Sequence, residues 1–322
     1  MNTLRPCGCK GVRTCLKCES DFNIQKPNLQ QELQKLEPWS WCIKCKRLYQ
    51  GWDCQKVQNE HPEHNQENGL ELPGIFVKAN FLTPDEGNEI MCRLDDLPWC
   101  ISQSGRRKQN YGPKTNFKKR KLQNGTFKGF PQTTGFIQNK FKNEELLENF
   151  QTIEQCSLEY DPTKGASIDP HIDDCWIWGE RVVTVNCLGD SVLSLTLYKD
   201  VLEKSLADIS KYNLDLVPKY ENQLLEPLLS VEDLQGFKDK VIRIIMPNLS
   251  LIVLYGPVRY QFEHSVLRED VLERRVCLAY REFTPMYLEG GYSYDKGQEV
   301  TKSALNFWTP DSEENITNEI KV

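Results

Sequence analysis

The sequence predicts a mainly β protein with flanking helices, an antiparallel sandwich or jelly roll, preceded by a cysteine-rich arm. Three observations carry this expectation. From Ile153 onward, seven short β-branched or aromatic runs follow one another without the spacing of βαβ units. Upstream of them, "TPDEGNEIMCRLDDL" has the signature of an amphipathic helix packed beside a sheet. Seven of the thirteen cysteines fall in the first 54 residues, a bias that marks a distinct segment.

Taken in order, residues 1–54 hold Cys7, Cys9, Cys15, Cys18, Cys42, Cys45 and Cys54. Residues 55–71, "QKVQNEHPEHNQENGLE", are almost without apolar side chains and predict a polar linker. The main domain is expected over 72–308. "GIFVKANF" has strand character, and Thr83, Pro84 and Glu86 form a capping box with proline at the first helical position. Ile90, Met91, Leu94 and Leu97 then make one apolar face. The strand runs after Ile153 are interrupted at 201–237, a charged stretch expected to be a helical insertion. Residues 309–322 read as a polar tail.

Composition sets limits. The net charge of −6 argues against wholesale coating of nucleic acid, though a local basic patch remains compatible with it. No apolar run is long enough to span a bilayer, so no membrane association is expected. "MNTLRPCGCKGVRTC" has no apolar core of a secretory signal, so the cysteines are expected as intracellular thiols or metal ligands.

The chemistry concentrates in "SIDPHIDDCWIWGE". His171 and Asp173 are two apart, and on a strand both would project from one face. His264 lies in another strand pattern, "YQFEHSV". Two histidines and a carboxylate make the facial triad of non-haem iron oxygenases, with a zinc hydrolase site as the rival reading. Arg275 and Arg281 share a strand face in "RRVCLAYRE", and their planar donor forks suit a dicarboxylate. Arg274 points the other way, towards surface ion pairs.

The order Tyr160, His171, Asp173, His264, Arg275, Arg281 resembles the AlkB family of Fe(II)/2-oxoglutarate dioxygenases. "CGCKGVRTCLKCE", "SQSGRRKQNYGPK" and "IDPHIDDCWIWGERVVTVNCL" look like its animal homologue-four branch. The resemblance implies a double-stranded β-helix barrel that uses Fe(II), 2-oxoglutarate and O2. It implies His171, Asp173 and His264 as iron ligands, and Arg275 with Tyr160 on the distal carboxylate of 2-oxoglutarate. Arg281 is implied near the chelating carboxylate. Leu158 and Cys277 depart from polar positions of the family. The implied reaction is oxidative N-demethylation with release of formaldehyde, succinate and CO2. Trp176 and Trp178 are expected either at the mouth or in ordinary barrel packing, and Cys175 and Cys277 as buried thiols.

For the substrate, residues 101–131 are expected to form a basic lid, with Arg106, Arg107, Lys108 and Tyr111 as binding residues. A solvated basic face is the bland alternative. The resemblance implies a monomethylated lysine on a protein such as actin, in an actomyosin setting, or N6-methyladenine in DNA. A monomer in cytoplasm and nucleus is expected. Cys7, Cys9, Cys15 and Cys18 match a tetrahedral zinc set as well as free thiols, and Cys42, Cys45, Cys54, His61 and His64 make a second ion conceivable. A zinc-knuckle adaptor with an inactive barrel is the reading from another class.

Overall fold

A computed structural model describes residues 5–309. The strands that matter for function are β1 (Glu37–Cys42), β2 (Arg47–Gln50), β3 (Ile75–Lys78), β4 (Cys100–Ile101), β5 (Arg106–Tyr111) and β6 (Glu154–Tyr160). They continue with β7 (Ile168–His171), β8 (Trp178–Leu188), β9 (Ser191–Leu197), β10 (Lys240–Met246), β11 (Leu251–Leu254), β12 (Phe262–Val266) and β13 (Arg275–Phe283). They build two sheets: a six-stranded one in the order β7-β12-β9-β10-β1-β2, and a seven-stranded one in the order β3-β11-β8-β13-β6-β5-β4. Every pairing in them is antiparallel except that of β1 with β10. This is the double-stranded β-helix with flanking helices.

Alternation sorts the side chains of the larger sheet. Val183, Val185, Val276, Leu278 and Tyr280 face outward, where Ile90 and Leu94 of the helix Pro84–Asp95 and Ile137 and Phe141 of Gly135–Phe141 cover them. The capping box predicted at Thr83 is present, with the Glu86 N–H donating to Thr83 Oγ1 at 3.2 Å and the Thr83 N–H to Glu86 at 2.8 Å. Opposite-parity residues face the second sheet, where Leu195, Ile242, Ile244, Leu254, Phe262 and Cys277 share the barrel core.

Three expectations change. The cysteine-rich segment is not an appended unit, because β1 adds in parallel to β10 and extends the smaller sheet. Residues 55–71 are not a bare linker. They include most of the helix Cys54–Asn59 and the turn Gln66–Asn68, and Leu70 bridges to Leu48. The insertion 201–237 is mostly 3-10 turns, with one short α-helix at Val231–Gln235. Its apolar residues Val201, Leu214, Val217 and Tyr220 are spent on the barrel core, and Pro218 forbids a continued helix. The polar tail expected at 309–322 lies outside the described residues beyond Thr309.

Candidate metal centre and active site

The two histidines meet because of strand register. His171 on β7 is directly opposite His264 on β12, which sets their ring centroids 4.2 Å apart. β7 ends at His171, so Asp173 stands in the following loop and not on the same strand as predicted. The chain turns there, yet the three ligand atoms still lie within 4.8 Å of one another. The Nδ1–H of His171 donates to the Asp169 carbonyl at 2.9 Å, which leaves the Nε2 lone pair facing Asp173 Oδ1 at 3.7 Å.

A loop holding a ligand needs anchoring, and a residue not singled out in the sequence provides it. Arg259 is buried just before β12. It donates to the carbonyls of Asp173 (2.9 Å), Trp178 (3.1 Å) and Gly179 (3.1 Å). One guanidinium therefore ties the His264 segment to the Asp173 loop. The insertion adds a second clip: Tyr212 and Asn213 take left-handed φ values of 58° and 59°. From there the Tyr212 carbonyl accepts from the Cys175 N–H at 2.8 Å, and Asn213 donates to Asp174 at 2.7 Å. Asp174 is thus structural and borders the mouth.

The electrostatics favour a divalent cation. Burial opposes ionisation of Asp173, but the Arg281 guanidinium and the two imidazoles outweigh it and hold the carboxyl far below its usual range. Burial, then His171, pushes His264 down to about 3, and burial lowers His171 as well. A carboxylate beside two neutral imidazoles is the protonation state that a metal requires. Arg281 donates to Asp173 through Nε at 2.9 Å and to Glu154 through Nη1 at 2.6 Å. It therefore bridges the candidate ligand carboxylate and Glu154. Replacing Arg281 with methionine should weaken Fe(II) binding by ~10–100-fold, as loss of a ligand's supporting contact does. An iron titration that shows unchanged affinity would remove this positioning role.

Deeper in the barrel, Arg275 is 1% exposed and lacks a carboxylate partner among the described residues. Its Nε donates to Asn186 Oδ1 at 2.9 Å, and its guanidinium lies 4.7 Å from the Tyr160 ring centroid. Asn186 is itself locked by donating to the carbonyls of Gly189 (2.6 Å), Met246 (3.1 Å) and Pro247 (3.0 Å). Arg275 Nη1 is left buried without a partner. A buried cation with an idle donor costs several kcal/mol unless an anion joins it. A carboxylate of 2-oxoglutarate fits that demand. Leu158 and Cys277 face each other across β6 and β13 beside it, which makes this wall apolar.

The mouth is lined by Arg13, Asn110, Phe117, Glu154, Trp178 and Tyr212 among others. Burial, with the Asp173 charge, raises the Glu154 pKa despite Arg281. The four residues expected to bind substrate divide between locations. Arg106 lies over the Tyr160 ring, 5.8 Å from its centroid, nearer the Arg275 pocket than the mouth. Lys108 shares its strand face with Arg106 and Asn110. Arg107 is on the opposite face, paired with Glu159 and 5.5 Å over Trp99. Tyr111 is buried against Trp308 at 5.8 Å. Phe117 is the lid aromatic that reaches the mouth, edge-on to Trp176 at 6.2 Å. Trp178 borders the opening and lies under Arg281 at 5.5 Å, while Trp176 packs in the core.

The arm brings its own candidate site to this rim. Cys7, Cys9, Cys15 and Cys18 place their sulfurs within 4.8 Å of one another, a four-thiolate set suited to zinc. The loop they bracket carries Arg13 to the mouth, where it donates to Gln103 at 3.1 Å. Glu19 pairs with Arg268 at 2.8 Å and docks the arm on the barrel.

The chain is 36% identical over 95% of its length to the alpha-ketoglutarate-dependent dioxygenase alkB homolog 4 of Mus musculus, covering 96% of that protein. The Homo sapiens protein of the same name is 34% identical over 94% of this chain and 95% of its own. A Caenorhabditis elegans protein named DNA N6-methyl adenine demethylase is 28% identical over 90% of this chain and 91% of its own. No protein-family profile matches the chain. A centre of two neutral imidazoles and a clamped carboxylate, a buried arginine with one idle donor and full-length similarity lead to one conclusion: the chain belongs to the AlkB family of Fe(II)/2-oxoglutarate-dependent dioxygenases.

Proposed function

We propose that the chain demethylates a monomethylated lysine on a protein, with actin, the substrate associated with the homologue-four branch, as the first choice. His171, Asp173 and His264 hold iron in this reading, and Arg275 with Tyr160 holds the distal carboxylate of 2-oxoglutarate. With iron and 2-oxoglutarate bound, O2 would be the oxidant. One oxygen atom would enter succinate as 2-oxoglutarate loses CO2, and the other would hydroxylate the N-methyl carbon, whose hydroxymethyl amine then releases formaldehyde. The chain's own residues position and shield. Arg281 and Arg259 hold Asp173 in place, Asn186 aims Arg275, and Trp178, Phe117 and Tyr212 limit water at the opening.

The observation that carries the lysine reading is the character of the mouth. Three aromatic side chains, Phe117, Trp178 and Tyr212, stand there with the carboxyl groups of Glu154 and Asp174. Aromatic faces suit a methylammonium cation, and Glu154 and Asp174, held by Arg281 and Asn213, offset the positive charge that Arg13 and Arg281 bring to the mouth. A second reading, N6-methyladenine in DNA, draws on the worm relative's name and on the basic run Lys118, Lys119, Arg120 and Lys121 beside Phe117. Stacking of a flipped base on the same aromatics would serve it. Succinate release should rise more with a monomethyl-lysine actin peptide than with a methyladenine oligonucleotide. The reverse order would overturn the lysine assignment.

A further inference from the structure

A second cluster of metal-ligating side chains stands apart from the active site. Cys42 closes β1 and Cys45 lies in the turn to β2, where Lys46 takes a φ of 55°. The Cys45 N–H donates to Cys42 Sγ at 3.5 Å, a turn in which backbone N–H groups stabilise thiolate sulfur. His61 and His64 follow the helix Cys54–Asn59, and both place Nδ1 3.2 Å from Cys45 Sγ. The His64 ring stacks on Tyr49 at 3.9 Å with planes 22° apart, which fixes the direction of that nitrogen. All four ligand atoms lie within 4.8 Å of one another. Cys54, in the same stretch of sequence, is not part of the set and receives a bond from Ser40 at 3.5 Å.

The surrounding chain needs such a centre. Between 55 and 71 the aliphatic side chains are Val57 and Leu70, too few to hold the segment by burial. The segment is nevertheless folded against the hairpin, with the Gln58 side chain donating to the Trp41 carbonyl at 2.7 Å and accepting from the Ile43 N–H at 2.9 Å. A Cys42–Cys45 disulfide would not explain why two imidazole nitrogens converge on Cys45.

We propose that Cys42, Cys45, His61 and His64 bind one structural zinc ion in a tetrahedral two-thiolate, two-imidazole site. Two thiolates balance the charge of the ion, and four protein ligands leave no open position for chemistry. The site sits at β1 and β2, the opposite end of the smaller sheet from β7 and β12, which carry His171 and His264. Its work is to clamp residues 55–71 onto the hairpin.

Zinc per chain, measured in iron-free full-length protein, tests this. The Cys45→Ser chain should hold one zinc fewer than wild type and melt at lower temperature. His64→Cys, which keeps four ligands, should retain the ion. Wild-type zinc content in Cys45→Ser overturns the site. Should Cys45→Ser fail to fold, cobalt decides, in a chain with Cys7, Cys9, Cys15 and Cys18 all changed to serine. A thiolate-to-cobalt charge-transfer band with tetrahedral absorption supports the site, and absence of both overturns it. The His171 centre offers no thiolate and is silent in that band.

Discussion

The His171→Ala chain is expected to make no detectable succinate and to lose its Fe(II), while its melting temperature stays close to wild type. The first part follows from ligand count. Two remaining ligands cannot hold the open facial geometry on which the oxidation depends. The second follows from placement, since His171 ends an edge strand of the smaller sheet and its side chain is 29% exposed. Succinate assay, iron titration and thermal melting read the three outcomes separately. Turnover near the wild-type rate would mean that the metal lies elsewhere. Biological activity that survives the loss of turnover would favour the adaptor reading.

Arg275→Gln is expected to raise the KM for 2-oxoglutarate by roughly a hundred- to a few thousand-fold. Removing one partner of a buried, hydrogen-bonded charge pair costs about 3–5 kcal/mol, and each 1.4 kcal/mol is about tenfold. The Asn186 carbonyl oxygen then also loses its arginine donor. Lysine should rescue poorly, because its ammonium cannot donate to Asn186 and to a carboxylate in the same plane. A titration of turnover against 2-oxoglutarate checks this. A KM within threefold of wild type would show that the carboxylate is held by another group.

The candidate site was legible because side-chain chemistry and order survive without any structure. His171, His264, Arg275 and Arg281 are few, chemically marked and placed on recognisable strands, and Asp173 follows His171 by two residues in the loop beyond. What the sequence lacked was the inside of the sheet. Arg106 and Arg107 are neighbours in a basic run, yet strand alternation sends one over Tyr160 and the other to Glu159 on the outer face. Tyr111 looked like a stacking platform and packs instead on Trp308 from the far end of the chain. Arg259 and Asn186 escaped notice because neither is unusual in type. Their roles come from carbonyls brought to them by tertiary structure. The segment 55–71 misled for a different reason. Its lack of apolar residues predicts an unsupported linker, and pattern alone cannot see order that arises from converging side-chain ligands. The insertion misled through composition, since charged, leucine-containing stretches serve 3-10 turns as readily as α-helices.

The parallel docking of β1 on β10 bears on how the molecule tolerates being cut. β10 reads "KVIRIIM", and its neighbours are β9 on one side and β1 on the other. A barrel severed after residue 54 would bare the Lys240–Arg243 half of one flank of that β-branched strand, with its backbone donors and acceptors unmet. Such an open apolar edge is a template for chain-to-chain aggregation. Removing the cysteine-rich region is therefore expected to lower solubility, and a minimal fragment has to begin upstream of Glu37 to keep this pairing.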